Sequence, residues 1–260
     1  MRNIAMTVSY DGTHYSGFQI QPGVDTVQQM LMNAVQKVTG ESCHIIASGR
    51  TDAGVHAIGQ VINFYTESNI PAERWPIAMN TVLPRDIAVI AAVEAPFNFN
   101  ARKHAVRKTY HYYIERDRKR SVFTEGLAHH HPGHLNVNEM QEAAQMLLGE
   151  HDFSSFCSLK STKSSHVRTL YSVDCVLEPH PLHGPGLLPQ LVVKVSGNGF
   201  LYNMVRIIVG TLLMVGRGRK KAEEVQAILQ AKNRHLAGPT APPEGLFLWQ
   251  VEYDNLQFPT

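Results

Sequence analysis

Apolar positions along this chain recur at two spacings, every second residue and every third or fourth, and the switches between them mark out the elements. Ile4 to Tyr10 reads as a strand, after which Val27, Met30, Leu31, Ala34, Val35 and Val38 fall on one face at helical spacing. Thr26 and Gln29 supply a capping box, the Thr hydroxyl taking the third helical N–H while the Gln side chain returns to the Thr amide, and Gly40 ends the helix. Strands follow at Cys43 to Ser48 and Ile58 to Tyr65. A helix from Pro71 to Val82 comes next, weakened by Pro76, which removes a donor and clashes one turn back. A strand from Ile87 to Glu94 closes this first set.

The order then begins again. Arg107 to Glu115 is a strand with tyrosines at 110, 112 and 113, and a helix from Glu139 to Leu148 is capped by Asn138 and stopped by Gly149. Strands are predicted at Thr169 to Leu177 and Leu191 to Ser196. Leu201, Met204, Val205, Ile208, Val209 and Leu212 form the broad apolar face of a helix that Gly216 stops. A further helix, Ala222 to Ala231, precedes the last strand, Leu246 to Tyr253. Strand, helix, strand, strand, helix, strand is the ferredoxin-like order. Its repetition predicts an α/β (α+β) chain of two ferredoxin-like β-α-β-β-α-β halves with antiparallel sheets meeting at a central cleft. The N-terminal lobe spans residues 1–105. The C-terminal lobe spans 106–260, with an extra helix and a Pro- and His-containing insertion near 178–189. Clefts between domains are favoured ligand sites.

At 260 residues and 43% apolar, the chain is long enough for real cores. A net charge of +2 and a pI near 8.4 are only mildly basic, so nucleic-acid affinity depends on where the cations lie rather than on their total. They cluster. Arg102, Lys103, Arg107 and Lys108 lie before or within the tyrosine-rich strand, Arg116, Arg118, Lys119 and Arg120 follow it, and Arg217, Arg219, Lys220 and Lys221 follow the long helix. Each cluster alone reads as solvated loop or helix-end charge; the three together, interleaved with Tyr, suit phosphate contact and base stacking. Cys43, Cys157 and Cys175 are odd in number and widely spaced, which argues against a disulfide framework and fits a reducing cytosol. Met1-Arg2-Asn3 leads straight into a strand pattern with no leader, and Phe200 to Val215 is too short, and too interrupted by Asn203 and Arg206, to span a membrane.

The candidate chemistry lies in Gly49-Arg50-Thr51-Asp52-Ala53-Gly54-Val55-His56-Ala57, a connection between two strands that carries one carboxylate, one guanidinium and two glycines. Loops held by a rigid sheet are where catalytic groups concentrate. Spacing alone leaves two readings open: a site built on Asp52, and a tight turn in which Asp52 caps the loop and Arg50 is its surface partner. His56 offers two roles as well, orienting Asp52 or bracing the loop. His129-His130-His131 and His134 do not make a metal site, because a consecutive triplet in a strand cannot aim all its rings at one ion and no nearby Cys or acid completes a ligand set.

The loop, together with Tyr10-Asp11-Gly12-Thr13, Tyr15, Gly17-Phe18-Gln19, Gln21-Pro22 and Thr26-Val27-Gln28, resembles the tRNA pseudouridine synthase A family. Ala101-Arg102 with Arg107, Tyr110 and Tyr112 is similar to that family's middle motif. Gly149 to Cys157, Phe200 to Gly216 and Ala241 to Leu248 are similar to its later ones. The resemblance covers nearly the whole chain except Glu178 to Pro189. It implies the same two-lobed fold and isomerisation of uridine to pseudouridine at positions 38, 39 and 40 of the tRNA anticodon stem-loop, by a cytoplasmic homodimer without metal, organic cofactor or membrane. Asp52 is then the essential acid, either a nucleophile or the base that takes a sugar proton. Burial raises a carboxyl pKa, so a cationic partner is expected, and Arg206, a charge on a mostly apolar helix, takes that place. Tyr110 stacks on the target base and is a candidate to accept its C5 proton, Leu246 packs against the tyrosine, and Arg50 fills the space left by the flipped base or holds the backbone. Two other classes stay in view. A non-catalytic tandem ferredoxin-like RNA-binding protein is told apart by whether Asp52 is needed for turnover but not for binding. A nucleoside or glycoside hydrolase would release uracil, although such enzymes usually place two carboxylates about the bond.

Overall fold

The computed structural model describes residues 1–179 and 188–259. Of the predicted insertion at 178–189, residues 180–187 lie outside this description. Among the described residues a ten-stranded, mostly antiparallel sheet and five α-helices make a mixed α/β protein. The chain divides into two compact units, Met1–Lys108 joined by the segment from Phe247 onward, and Thr109–Leu246.

In the first unit the long strand β3 (His56–Thr66) pairs antiparallel with β1 (Arg2–Tyr10), and β1 pairs antiparallel with β4 (Ile87–Ala95). Two segments share the other edge of β3. The short β2 (Ile46–Ala47) meets Ile62 and Asn63, and β10 (Leu246–Glu252) runs parallel beside His56 and Ala57. Alternation along β1 puts Ile4, Met6 and Val8 on one face with Ile62 and Phe64 of β3, all buried. The helix α1 (Val27–Thr39) contributes Val27, Leu31, Ala34 and Val35 to the buried set, and Trp75 packs its edge against Phe64 at 5.3 Å. The opposite face buries a polar pair among small and apolar side chains. Asn3 and Asn63 are buried there, bonded to each other at 2.9 Å, and they satisfy the turn at residues 96–101 by bonds to Pro96 O, Phe99 O and the Ala101 amide.

Local chemistry sets most of the ends. Thr26 caps α1 by accepting the Gln29 amide, and Gly40 stops it at φ 78°. Only half of the expected capping box forms, because the Gln29 side chain bonds Asn33 one turn on instead of returning to Thr26. Pro76 does not break a helix: α2 begins at Trp75 (Trp75–Asn80), so the proline falls in the first turn, where no intrahelical partner is required of its nitrogen. The strand expected over Cys43 to Ser48 shrinks to β2.

The second unit orders its strands β5 (Arg107–Glu115), β9 (Gln190–Gly197), β8 (Val167–Glu178) and β7 (Gly149–Asp152), with the two-residue β6 (His129–His130) parallel to the end of β5. Helix α3 (Val137–Gln145) is capped by Asn136 rather than Asn138. Asn136 has Glu139 three residues on, the two exchange side-chain and backbone bonds, and the reciprocal pair decides the start. Helix α4 (Met204–Gly216) is buried on nearly every side; at about 20 Å it is shorter than a bilayer core, and among the described residues no helix is long and apolar enough to cross a membrane. Gly216 belongs to α4 instead of stopping it. A Cβ there would lie 2.6 Å from the Met140 sulfur of α3, so this glycine allows two helices to touch, and Gly218 at φ 69° makes the turn. Helix α5 (Glu224–Ala231) follows. Cys43, Cys157 and Cys175 are free.

The extended segment 238–241 lies along α4 at Gly210, whose Cβ would overlap the Pro239 carbonyl; Gly238 donates to the Thr211 hydroxyl at 2.9 Å and Ala241 to the Arg206 carbonyl at 3.0 Å. Gly210→Ala should therefore cost at least about 1–3 kcal/mol in urea unfolding, despite the better helix propensity of alanine. Two histidines of this unit are held neutral. Burial pushes His111 down to about 4, with Lys194 adding to the effect against Glu178, and burial likewise lowers His131, whose two ring nitrogens have no hydrogen-bond partner among the described residues. The unfolded chain binds these protons from about pH 6.5 downward while the folded one resists them. Stability should be full above that pH and fall as it is lowered toward 4, and His111→Phe should flatten part of the loss in unfolding midpoints measured across the window.

Candidate active site

The loop 49–57 enters β3 directly, and nearly every one of its backbone turns is held by something outside it. At the entry, the Ser48 amide donates to Val61 O at 2.8 Å and its hydroxyl to Gln60 Oε1 at 2.6 Å, while Gln60 Nε2 donates to Gly49 O at 3.0 Å. Gln60 and Ser48 are fully buried, so this pair replaces the ladder bonds the short β2 does not supply. Lys108 Nζ donates to Ser48 O at 2.6 Å.

In the middle, Thr51 is gripped twice: Phe18 donates its amide to Thr51 O at 3.0 Å, and Tyr10 Oη meets Thr51 Oγ1 at 2.8 Å. Burial pushes the Tyr10 phenol up to about 12, so it remains a neutral hydroxyl. Asp52 comes next, half-buried, with its carbonyl accepting the Val55 amide at 3.1 Å to form a turn that Gly54 completes at φ 74°. The Gly54 amide donates to Tyr15 O at 3.3 Å. Two glycines of the N-terminal segment permit this approach. Gly17, at φ 91°, would place a Cβ 2.9 Å from Thr51 O, and a Cβ on Gly12 would overlap the Val55 carbonyl.

At the exit His56, fully buried, accepts the Gly12 amide on Nδ1 at 3.0 Å and stacks on Phe247 of β10 at 4.5 Å. The same nitrogen lies 3.1 Å from the Asp11 carboxylate, a contact that would be an ion pair only in a protonated ring. The amide bond needs the Nδ1 lone pair, so the ring is neutral at that nitrogen. Partial burial works against ionised Asp11, but the Thr13 hydroxyl and amide outweigh it and hold its pKa below the ordinary value. His56 thus braces the loop, and the Tyr10–Gln19 segment is its cradle.

Arg50 is exposed on the same loop, two residues before Asp52. Tyr110, Arg206 and Leu246 belong to the second unit. Tyr110 is buried on β5 with its ring edge-on to Phe200 at 5.0 Å. Arg206, in the first turn of α4, is preset by bonds from Nε to Ala241 O at 2.7 Å and from Nη1 to Asn203 Oδ1 at 3.1 Å, with Asn203 itself at φ 60°. Leu246 is buried at the start of β10, after Gly245, whose lack of a side chain admits the Tyr112 ring. The cationic clusters are only partly free. Arg107 lies near Glu252 at 3.7 Å, Arg116 donates to Pro189 O at 3.1 Å, Arg120 pairs with Glu125 at 3.2 Å and Lys220 with Glu224 at 3.7 Å. Arg102, Lys103, Arg118, Lys119, Arg217, Arg219 and Lys221 are exposed. The three consecutive histidines face different partners: His129 approaches Glu244 at 3.6 Å, His130 contacts Asp117 O at 2.9 Å, and His131 is buried. Among the described residues no three His, Cys, Asp or Glu are grouped to hold a metal ion.

Thr51, Ser48 and Gln60 escaped the sequence reading. Gln60 was the available signal, a polar residue set inside the apolar run of β3. Comparison with known proteins bears on the same segments. A family model described as tRNA pseudouridine synthase matches residues 6–102 and 143–254, a span that includes the Asp52 loop, its cradle and α4. A relative from Bacillus pumilus named tRNA pseudouridine synthase A is 48% identical over 254 residues, covering 97% of this chain and 99% of its own. Relatives of that name from Bacillus subtilis and Caldicellulosiruptor bescii are 47% and 44% identical, over 96% and 97% of this chain and 98% and 100% of theirs. With the match running through both compact units and over nearly the full length of each relative, the chain belongs to the tRNA pseudouridine synthase family.

Proposed function

We propose that this chain isomerises uridine to pseudouridine in tRNA, at positions 38, 39 and 40 of the anticodon stem-loop, as a cytoplasmic homodimer that uses no metal or organic cofactor. The observation that carries the reading is the clamped loop around Asp52: a single half-buried carboxylate on a backbone fixed from both sides, within a segment the family match covers. The reaction breaks the N1–C1′ bond, turns the detached uracil, joins C5 to C1′, moves the C5 proton off and protonates N1, so nothing is gained or lost. One carboxylate can serve it, either by adding to the sugar or by taking a sugar proton.

Asp52 is assigned as the catalytic group. Arg206 is assigned as its counter-charge, a role supported by a guanidinium preset on two neutral acceptors. Tyr110 is the stacking face for the target base and Leu246 its apolar backing, supported by their burial in the second unit. Arg50, exposed beside Asp52, fills the stack or holds the strand when the base is turned out, at a cost of a few kcal/mol. The same reading takes the chain as two ferredoxin-like repeats, 1–105 and 106–260. The order β4-β1-β3-β2 with antiparallel pairing in the first unit supports it, as does β5-β9-β8 in the second. Chain order counts β10 with the second repeat, although its residues from Phe247 pack in the first unit.

Asp52→Asn should reduce pseudouridine formation to background while tRNA binding stays within about twofold and the unfolding midpoint does not fall. Measurable turnover by this variant would remove Asp52 from the chemistry. Gly12→Ala tests the clamp rather than the acid. Its Cβ must push the Val55 carbonyl aside, and a displacement of about 1 Å should slow single-turnover product formation on the order of 100-fold with much less effect on tRNA affinity.

A further inference from the structure

A small cleft opens beside the loop, wholly within the first unit. It encloses about 160 Å³; Arg50 and Arg102 line it with His44 and Gln19, over Phe18 and Ile45. Its charge is one-sided. Neither guanidinium joins an ion pair among the described residues, and no carboxylate lines the cleft. Two cations left facing one concave space are repulsive until an anion enters.

The Arg102 backbone is unusually well held for an exposed residue. Its amide donates to Asn100 Oδ1 at 3.0 Å, the preceding Ala101 amide donates to the buried Asn63 at 2.9 Å, and the Ala101 carbonyl accepts the Tyr253 hydroxyl at 2.7 Å. Only the side chain is left to order on binding. Arginine is also the cation whose planar fork suits phosphate oxygens.

We propose that this cleft is a phosphodiester subsite, in which Arg102 and Arg50 hold one phosphate of the RNA strand next to the nucleotide that reacts at Asp52. The inference rests on the tRNA isomerase reading and adds a residue, Arg102, and a register to it. Size decides against a whole free ligand: pockets that take small molecules occupy roughly 300–1,000 Å³, so this one admits a fragment, the phosphate at Arg50 and Arg102 and little more. Distance sets the register. Arg50 lies two residues from Asp52, a separation of at most about 7 Å along the chain, so the bound phosphate is within two nucleotides of the target uridine. The cleft therefore measures the strand against Asp52, and holds it while the base is out of the stack.

The test is a scan of neutral linkages. Full-length tRNA is ligated with a single methylphosphonate at each of the four phosphates within two nucleotides of the target, and its affinity is measured for the wild-type chain, Arg102→Gln and Arg102→Lys. One position should weaken wild-type binding about tenfold and leave Arg102→Gln unaffected. Arg102→Gln should itself lose about tenfold on unsubstituted tRNA, more in KM than in kcat, and its slope of log affinity against log salt should flatten by about 0.7–0.9, one phosphate contact. Arg102→Lys should fall between the two. A flat scan on the wild-type chain, which needs no variant to fold, overturns the subsite; so does a scan in which the wild type and Arg102→Gln lose equally at every position. Product formation is read separately. Pseudouridine made with a flat scan refutes the cleft alone, whereas a sensitive phosphate with no pseudouridine formed refutes the isomerase reading and keeps the cleft as an RNA contact.

Discussion

The peptide of Thr51 is held from two sides, by the Phe18 amide on its carbonyl and by the Tyr10 phenol on its hydroxyl. This constraint matters because the loop that carries Asp52 has no helix or strand of its own to stiffen it. Fixing each residue of such a loop costs about 1–2 kcal/mol of backbone entropy, and a single hydrogen bond returns only about 0.5–1.5. Order at Asp52 therefore requires many bonds and buried side chains at once. The segment from Tyr10 to Gln19 supplies most of them, with the Ser48–Gln60 pair at one end and His56 on Gly12 at the other. Gly12 and Gly17 serve the same end by omission, since a side chain at either would drive the two segments apart. The two N-terminal motifs are one device.

The second unit solves a different problem, placing a charge on an apolar helix. Helix α4 is buried almost all round, and a guanidinium in its first turn would be costly without partners. Asn203, in a left-handed conformation just before the helix, and the carbonyl of Ala241 provide them. That carbonyl is in reach because Gly210 and Gly238 let the segment 238–241 lie against the helix backbone. A glycine one turn further along α4, where the helix could have had a side chain, thus helps to aim Arg206.

Much of this was legible in the residues, and the limits have physical causes. Strands with a full buried face, such as β5 and β4, carry their period in the chain and end where it ends. Tertiary contacts are not written that way. Gly216 looks like a helix stop until Met140 is seen against it, and Asn138 looks as good a cap as Asn136 until Glu139 chooses between them. β6 and β7 are too short to show a period, and β2 forms only where the edge of β3 is open to it. In the site, the string of residues pointed to Asp52, but the Thr51 hydroxyl and the Gln60 amide act through partners 41 and 12 residues away, which no local pattern announces.

The account stands or falls on what one carboxylate, fixed in this way, does to a uridine in tRNA. The most direct measurement is incubation of the chain with an unmodified tRNA transcript, followed by a nucleotide-resolution map of pseudouridine and an assay for free base. The account predicts pseudouridine at positions 38 to 40 with no uracil released. An unchanged transcript bound by the protein, or uracil set free with abasic sugars left behind, would contradict it.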